Sequence, residues 1–553
     1  MLRDNKIWIG NNAAGEPVSI VPKMANRHGL VAGATGTGKT VTLKVMAETF
    51  SDMGIPVFMA DVKGDIAGMY LAGADSEDMQ ERIARFGLAE HGFMYQAYPT
   101  CLWDIYGQKG IQLRTTVSEM GPLLLSRILD LNDLQSDILT IVFKIADDNG
   151  LLLTDTKDLK AMLAWVDEHS SEFQVEYGKI SSASIGVITR AIVALETAGG
   201  DVFFGEPALS LTDWLAQEAG RGVINILDSS SLINNGRLYS TFLLWLLSEL
   251  FEMMPEVGDL DQPKMIFFFD EAHLLFNDAP KALLEKIEQV VKLIRSKGVG
   301  VYFCTQNPRD IPDGVLAQLN NKIEHGLRAY TPADQKAVRA AADSFRENPA
   351  FDTYETILNL GTGEAVVSFL GEDGIPGVAE KTFILPPRSF MGGISDEQRD
   401  QKIKASFLYS KYANAVDPDS AYEVLMRKGI EAAEEAEAQA AQAAAAEEAA
   451  KAEQAAAKEA EKAELAAQKA AEKEAAAAAK EAAKAEAAAQ KAAEREEKAR
   501  KKEIAKVGNS VMGTVGREVG KTLGSNFGKF GKTLGGNLGA QLGRGILNTL
   551  IKK

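Results

Sequence analysis

Apolar runs of strand length recur along the first part of the chain. They are "HGLVAG" closing on Gly33, "PVFMAD" on Asp61, "GVINILD" on Asp228, "MIFFFD" on Asp270 and "GVGVYFCTQ" on Gln306. None alternates apolar with polar positions. A strand without alternation is covered on both faces, as in a parallel sheet flanked by helices. Helical patterns lie between the runs, for example Lys281–Lys297. The expected fold class is therefore α/β with a mostly parallel sheet.

The same pattern divides the chain. Residues 1–25 ("KIWIG…EPVSIVP") read as a short strand pair ahead of a core at 26–395. Within the core, about 66–215 reads as a mainly helical insertion, clearest at "LLLSRILDLNDLQSDILTIVFKIADD". "KIEHGLRAY" and "GEAVVSFL" add later strands, and "LPPR" at Leu385–Arg388 closes the core. A helical connector at 396–430 follows. Residues 431–505 are dominated by Ala with interleaved Glu and Lys and contain neither Gly nor Pro, a composition that favours helix nearly everywhere. Fully helical, that stretch would span ~110 Å. Leu465 is nearly its only large apolar residue, so a Leu-type seam is missing. A solvated single helix and an Ala-packed coiled coil are the two readings.

Composition changes the picture in the tail. The chain has 553 residues, 46% of them hydrophobic, and a net charge of −17. Residues 506–553 carry eight Lys/Arg against one acidic residue, +7, which leaves −24 for the rest. An acidic body is a poor match to broad, sequence-blind nucleic-acid binding, although a basic pore inside it is compatible with the balance. Two distant cysteines, Cys101 and Cys304, suit a reducing compartment and no zinc spacing. No secretory leader or long apolar span is seen. The expectation is a cytoplasmic protein, peripheral to a membrane if the tail attaches it.

Gly-Lys-Thr occurs three times, at Gly38, Gly520 and Gly531. A phosphate-binding loop needs Gly-x-x-x-x-Gly-Lys-Thr between a buried strand and a helix. Gly33, Ala34, Thr35, Gly36, Thr37, Gly38, Lys39 and Thr40 satisfy it, between "HGLVA" and "VTLKVMAETF". The loop's N–H groups would face phosphate, Lys39 would reach the β and γ phosphates of ATP, and Thr40 would ligate Mg²⁺. The tail copies have Val515 and Asn526 where the first glycine belongs, and no apolar strand precedes them.

A hydrolytic site needs a second strand ending in carboxylates. "MIFFFDEAH" places Asp270 for the Mg²⁺ shell and Glu271 to accept a proton from the attacking water. Gln306 ends the next strand, either beside the γ-phosphate or capping the Asn307-Pro308 turn. "MADVKGD" sets Asp61, Lys63 and Asp65 at sheet level, where Asp61 faces metal or water or simply makes a turn. Hydrolysis also needs positive charge on the γ-phosphate. Arg295 ("KLIRSKGVG") is the candidate for reaching a neighbouring subunit's nucleotide, with Arg309 and Arg328 as rivals. His273 reads as structural or coupling.

In order along the chain, "HGLVAGATGTGKT", "ADVKGD", "MIFFFDEAHLLF" and "IRSKGVGVYFCTQNP" resemble the HerA–FtsK superfamily of additional-strand ATPases, over roughly residues 20–390. The likeness is to HerA-like helicases and translocases of the YjgR type. It implies a RecA-like P-loop core and a homo-oligomeric ring, usually a hexamer. ATP and Mg²⁺ would sit between subunits, and members of the family move double-stranded DNA or act in DNA end processing, which makes duplex DNA a candidate partner. It assigns Lys39, Thr40, Asp270, Glu271 and Gln306 the roles given above, and matches Arg295 to the family's arginine after the carboxylate pair. The alternative is an ATP-driven ring or nucleotide-gated scaffold acting on protein or at a membrane through its C-terminal helix and tail.

Tail glycines fall at 516, 520, 524 and 528, then 531, 535, 539 and 543. Each costs an isolated helix about 1 kcal/mol against Ala. Such a helix needs a surface that rewards small residues, a partner helix or a membrane; a disordered Gly-rich tail and a DNA-binding tail are the other readings.

Overall fold

The structure is a computed structural model that describes residues 1–232, 235–276 and 281–486. Its first compact unit runs from Met1 to Tyr422. The unit is built on a 13-stranded sheet among the described residues. At the centre, seven strands run parallel. In spatial order they are Asn321–His325, Gly29–Ala32, Val299–Thr305, Met265–Phe269, Val57–Asp61, Ile224–Asp228 and Thr100–Asp104. The Val299–Thr305 strand lies between the strand of the glycine loop and the strand of the carboxylate pair, which is the additional-strand order. All five apolar runs are strands of this parallel set, and the α/β expectation holds.

Burial on both faces explains the absence of alternation. Phe268 turns to one side, where its ring lies 6.3 Å from Phe50 of the Lys39–Asp52 helix. Phe267 and Phe269 turn to the other, against Phe58 at 5.3 and 5.9 Å. Phe58 in turn meets Phe242 of the Gly236–Met253 helix. All three phenylalanines are fully buried, and each such side chain contributes about 1.5–3 kcal/mol.

Beyond the parallel set, Glu364–Ser368, Glu380–Ile384 and Lys6–Asn12 extend the sheet antiparallel. The 1–25 strand pair is present, Lys6–Asn12 with Pro17–Ile20. It is not a separate segment, since its first strand pairs with Glu380–Ile384 at the sheet edge. "LPPR" leads into a segment anchored on the loop helix by buried polar side chains. Glu48 accepts from Arg388 N (2.8 Å) and Ser389 N (2.9 Å), and Lys44 Nζ donates to the Phe390 carbonyl at 2.9 Å.

The 66–215 stretch contains the expected helices, at Val117–Ile128, Asp133–Asp148, Thr156–Glu168 and Ser182–Leu195 among others. It also contributes the Thr100–Asp104 strand, pairing with Ile224–Asp228, which the pattern did not announce. Only Cys101, Leu102 and Trp103 are apolar there, too short a run to carry a period. No single helix among the described residues is long and apolar enough to cross a membrane.

Ahead of the low-complexity stretch lie helices Asp396–Lys404 and Tyr409–Tyr412. The second unit, Glu423 onward, carries most of one helix, Ala421–Glu486, 66 residues long. That helix begins ten residues before Glu431, because Ala421–Ile430 is itself free of helix breakers apart from Gly429. At 1.5 Å per residue it extends ~100 Å. Lys451 pairs with Glu447 one turn earlier at 2.7 Å, on exposed side chains that add only tenths of a kcal/mol. The expectations for 487–505 and for the 506–553 glycine ladder lie outside the described residues.

Candidate functional site

Four neighbouring strands end side by side at the carboxyl edge of the sheet, in the order Gly29–Ala32, Val299–Thr305, Met265–Phe269 and Val57–Asp61. They deliver Gly33, Gln306, Asp270-Glu271 and Lys63 to one place. Open parallel sheets place ligands at this edge.

The loop after Gly29–Ala32 wraps because its glycines take positive φ, 146° at Gly33, 79° at Gly36 and 115° at Gly38. Residues with a Cβ rarely adopt such values. Lys39 opens the following helix, and its Nζ donates to the carbonyls of Gly33 (2.6 Å) and Ala34 (3.1 Å). The ammonium is thus held over the loop it closes. Thr35 and Gly36 are exposed at the loop tip.

A buried histidine braces the loop from behind. His325 Cβ would stand 2.5 Å from any Cβ placed on Gly33. Its Nδ1 lies 2.9 Å from the Glu364 carbonyl and its Nε2 2.9 Å from Thr42 Oγ1. A carbonyl only accepts, so Nδ1 carries the hydrogen and Nε2 accepts from Thr42. Burial, and then the charge of Lys39, lower the His325 pKa to about 4, so the ring is neutral. Its neighbour Glu324 is buried with Oε1 unpartnered among the described residues. Burial pushes its pKa up to about 8, against the pull of Lys39.

Asp270 is also buried, and its Oδ2 has no hydrogen-bond partner among the described residues. Burial raises its pKa, opposed by a hydrogen bond with Cys304. Thr40 presents a hydroxyl in the first turn of the loop helix. A free carboxylate oxygen and a hydroxyl are hard oxygen donors, the set Mg²⁺ takes. This donor set fits the ion.

Glu271 sits at positive φ (48°), and its carboxylate meets Lys63, Gln306 and His273. Lys63 Nζ lies 2.7 Å from Oε1. Gln306 Nε2 donates to both oxygens, at 3.2 and 3.1 Å. His273 Nδ1 is 3.3 Å away. Burial opposes the charge, but the bonds from Lys63 and Gln306, with Lys39 behind, hold the Glu271 pKa below its ordinary value. Glu271 is therefore ionised at neutral pH.

Gln306 thus reaches the carboxylate, and the turn after it is capped by Asn307, which accepts from Arg309 N. Asp61 is spent on its own turn: its carboxylate accepts from Gly64, Ile66 and Ala67 N–H at 2.7, 3.0 and 3.3 Å. Burial and then Asp65 raise its pKa to about 7. The contact that "ADVKGD" makes with the Glu271 carboxylate comes from Lys63, two residues beyond the strand end. Arg295 is not brought to this edge. It is exposed in the turn before Val299–Thr305. That strand runs parallel to Gly29–Ala32, so Arg295 lies at the opposite end from its own chain's loop. Arg309 and Arg328 are exposed at the loop end.

The contacts of Lys63 and His325 are not marked by any motif in the sequence. Lys63 had a signal, a cation at sheet level beside a strand end. A lone histidine such as His325 had none.

Comparison with known proteins identifies the family. A family profile described as "Helicase HerA-like C-terminal" matches residues 6–552. The DNA double-strand break repair helicase HerA of Sulfurisphaera tokodaii is 23% identical over 353 residues, 62% of each chain. The protein of the same name from Saccharolobus solfataricus is 21% identical over 379 residues, 66% of each chain. The present chain thus spans less than two thirds of either relative. Among solved structures, the bacterial conjugative coupling protein TrwBdeltaN70 is 16% identical with a TM-score of 0.49, covering 71% of this chain and 92% of that one. With the profile spanning nearly its whole length, the chain belongs to the HerA-like helicase C-terminal family.

Proposed function

We propose that this chain is an ATP hydrolase that works as a homo-oligomeric ring, a hexamer, and moves along double-stranded DNA. The observation that carries the reading is Glu271. It is ionised and gripped by Gln306, whose strand adjoins that of the glycine loop, with the Glu271 strand next beyond it. Hydrolysis needs a group to take the proton of the attacking water, and an ionised carboxylate at this strand end can do so.

The loop N–H groups and Lys39 bind and orient the polyphosphate. Glu271 positions the attacking water and accepts its proton, and Gln306 keeps that carboxylate in line. Thr40 and Asp270 would hold Mg²⁺, which supplies charge neutralisation on the β and γ phosphates. Positive charge at the γ-phosphate would come from Arg295 of a neighbouring subunit. Its exposure, and its place at the far end from its own loop, support action in trans, with ATP between subunits. The names of the HerA relatives support DNA as the polymer.

The test is an ATPase assay with and without duplex DNA over a range of salt, paired with a mass measurement in ATP. DNA-stimulated hydrolysis that fades with salt and a hexamer mass are expected. Equal rates with and without DNA at low salt would overturn the DNA motor, and a monomer mass would overturn the ring.

A further inference from the structure

The insertion returns a cation to the mouth of the glycine loop. Helix Glu77–Arg85 starts at Ser76, whose side chain accepts from Met79 N–H. Its Ile83 belongs to the apolar cluster that includes Val41 and Phe383. Val41 lies in the first turn of the loop helix, so this short helix and that turn pack on one common apolar cluster. Arg85 is occupied, with its guanidinium 3.8 Å from the Phe383 ring centroid. Arg82, half-buried, has no hydrogen-bond or ion-pair partner for its guanidinium among the described residues.

The free guanidinium rests over Gly363. A Cβ on Gly363 would stand 2.9 Å from Arg82 Nη1 and 3.1 Å from Nη2. Gly363 is itself the outer wall of the loop. Its N–H donates to the Thr37 carbonyl at 2.9 Å, and a Cβ on Gly38 would lie 3.3 Å from its nitrogen. One glycine therefore separates Arg82 from the loop.

We propose that Arg82 binds the α- and β-phosphate end of the nucleotide held by its own chain. The inference rests on the reading of Gly33–Thr40 as an ATP site. In such a loop the N–H groups take the α and β phosphates and the lysine reaches β and γ. Glu271 and Gln306 stand at the γ end, two and one strands away. Arg82 stands over Gly363, the glycine that meets Thr37 and Gly38. A guanidinium fork with no protein acceptor matches two phosphate oxygens. Because the contact avoids the γ-phosphate, diphosphate and triphosphate depend on it alike. The residue comes from the insertion, so the insertion completes the nucleotide site in cis.

The experiment is equilibrium binding of a fluorescent ADP and a fluorescent non-hydrolysable ATP analogue to the full chain. Wild type is compared with Arg82→Ala, Arg82→Lys, Arg85→Ala and Lys39→Ala, with thermal midpoints recorded for each. Arg82→Ala should weaken both nucleotides about tenfold to a hundredfold at an unchanged midpoint. Arg82→Lys should recover part of the loss, and Arg85→Ala should bind as wild type. Arg82→Ala binding both nucleotides normally, or losing only the triphosphate, would overturn the assignment. Wild type binding neither nucleotide would instead remove the ATP reading of the loop, and the assignment with it.

Discussion

Lys63 and Glu271 form an ion pair of 2.7 Å across adjacent strand ends. The glutamate end is buried and the lysine end is 40% exposed. The pair therefore acts more on the state of the carboxylate than on stability, since a half-exposed partner is screened by water. Burial alone would lift the Glu271 pKa, and Lys63 is the first of the groups that reverse it. Lys63→Met should raise that pKa. A general base must be deprotonated to work, so the acid limb of the pH–rate profile for ATP hydrolysis should move to higher pH. An acid limb that stays in place in the variant would show that Lys63 does not set the charge of Glu271.

The two ends of the site should separate in kinetics. Lys39→Ala removes the cation that reaches the phosphates and should abolish hydrolysis together with tight nucleotide binding. Glu271→Gln keeps the shape and the Gln306 contact but removes the base, so kcat should fall by about 10²–10⁴ with ATP binding retained. A Glu271→Gln variant that turns over ATP at the wild-type rate would assign the proton transfer elsewhere.

His325 should matter to the loop without touching nucleotide. Its ring fills the space behind Gly33, donates to the Glu364 carbonyl and accepts from Thr42. His325→Ala leaves a void and removes the donor to the Glu364 carbonyl, at about 1–3 kcal/mol, while Thr42 can still donate to the Gly38 carbonyl. A lowered thermal midpoint and a raised KM for ATP are expected. The pKa is depressed from 6.5 to about 4. The stability this represents is present above pH 6.5 and is lost as pH falls toward 4. His325→Ala should therefore lose stability less steeply than wild type over that window in calorimetry.

The sequence was most legible where one residue type had one physical use. The unbroken runs around Phe268 and Phe303 could only be buried on both faces, and all became central strands. Gly33, Gly36 and Gly38 announced backbone at positive φ, and that is where they sit. What escaped reading were contacts between segments far apart in the chain. Lys63 meets Glu271, and Arg82 meets Gly363. Nothing local marks these pairings, because the sheet order that creates them is itself a long-range fact. Asp61 shows the converse. Its strand-end position matches that of Asp270, but three turn N–H groups claim its carboxylate.

Glu324 provides a last test, with the opposite pH sign to its neighbour His325. Its side chain is buried beside the loop strand, where Glu324 pairs in register with Ala32. Oε1 has no partner among the described residues, so nothing compensates a charge there except Lys39 and Lys322 nearby. The folded pKa is about 8 against an ordinary 4.5. A raised acid contributes stability that is complete below pH 4.5 and is lost as pH rises toward 8, with a slope of about 1.4 kcal/mol per pH unit. Glu324→Gln keeps the volume and removes the titration. The variant should match wild type near pH 4.5 and exceed it increasingly up to pH 8, read as the thermal midpoint across that range. Parallel midpoint curves for the two proteins would mean that Glu324 finds compensation in the fold and is charged at neutral pH.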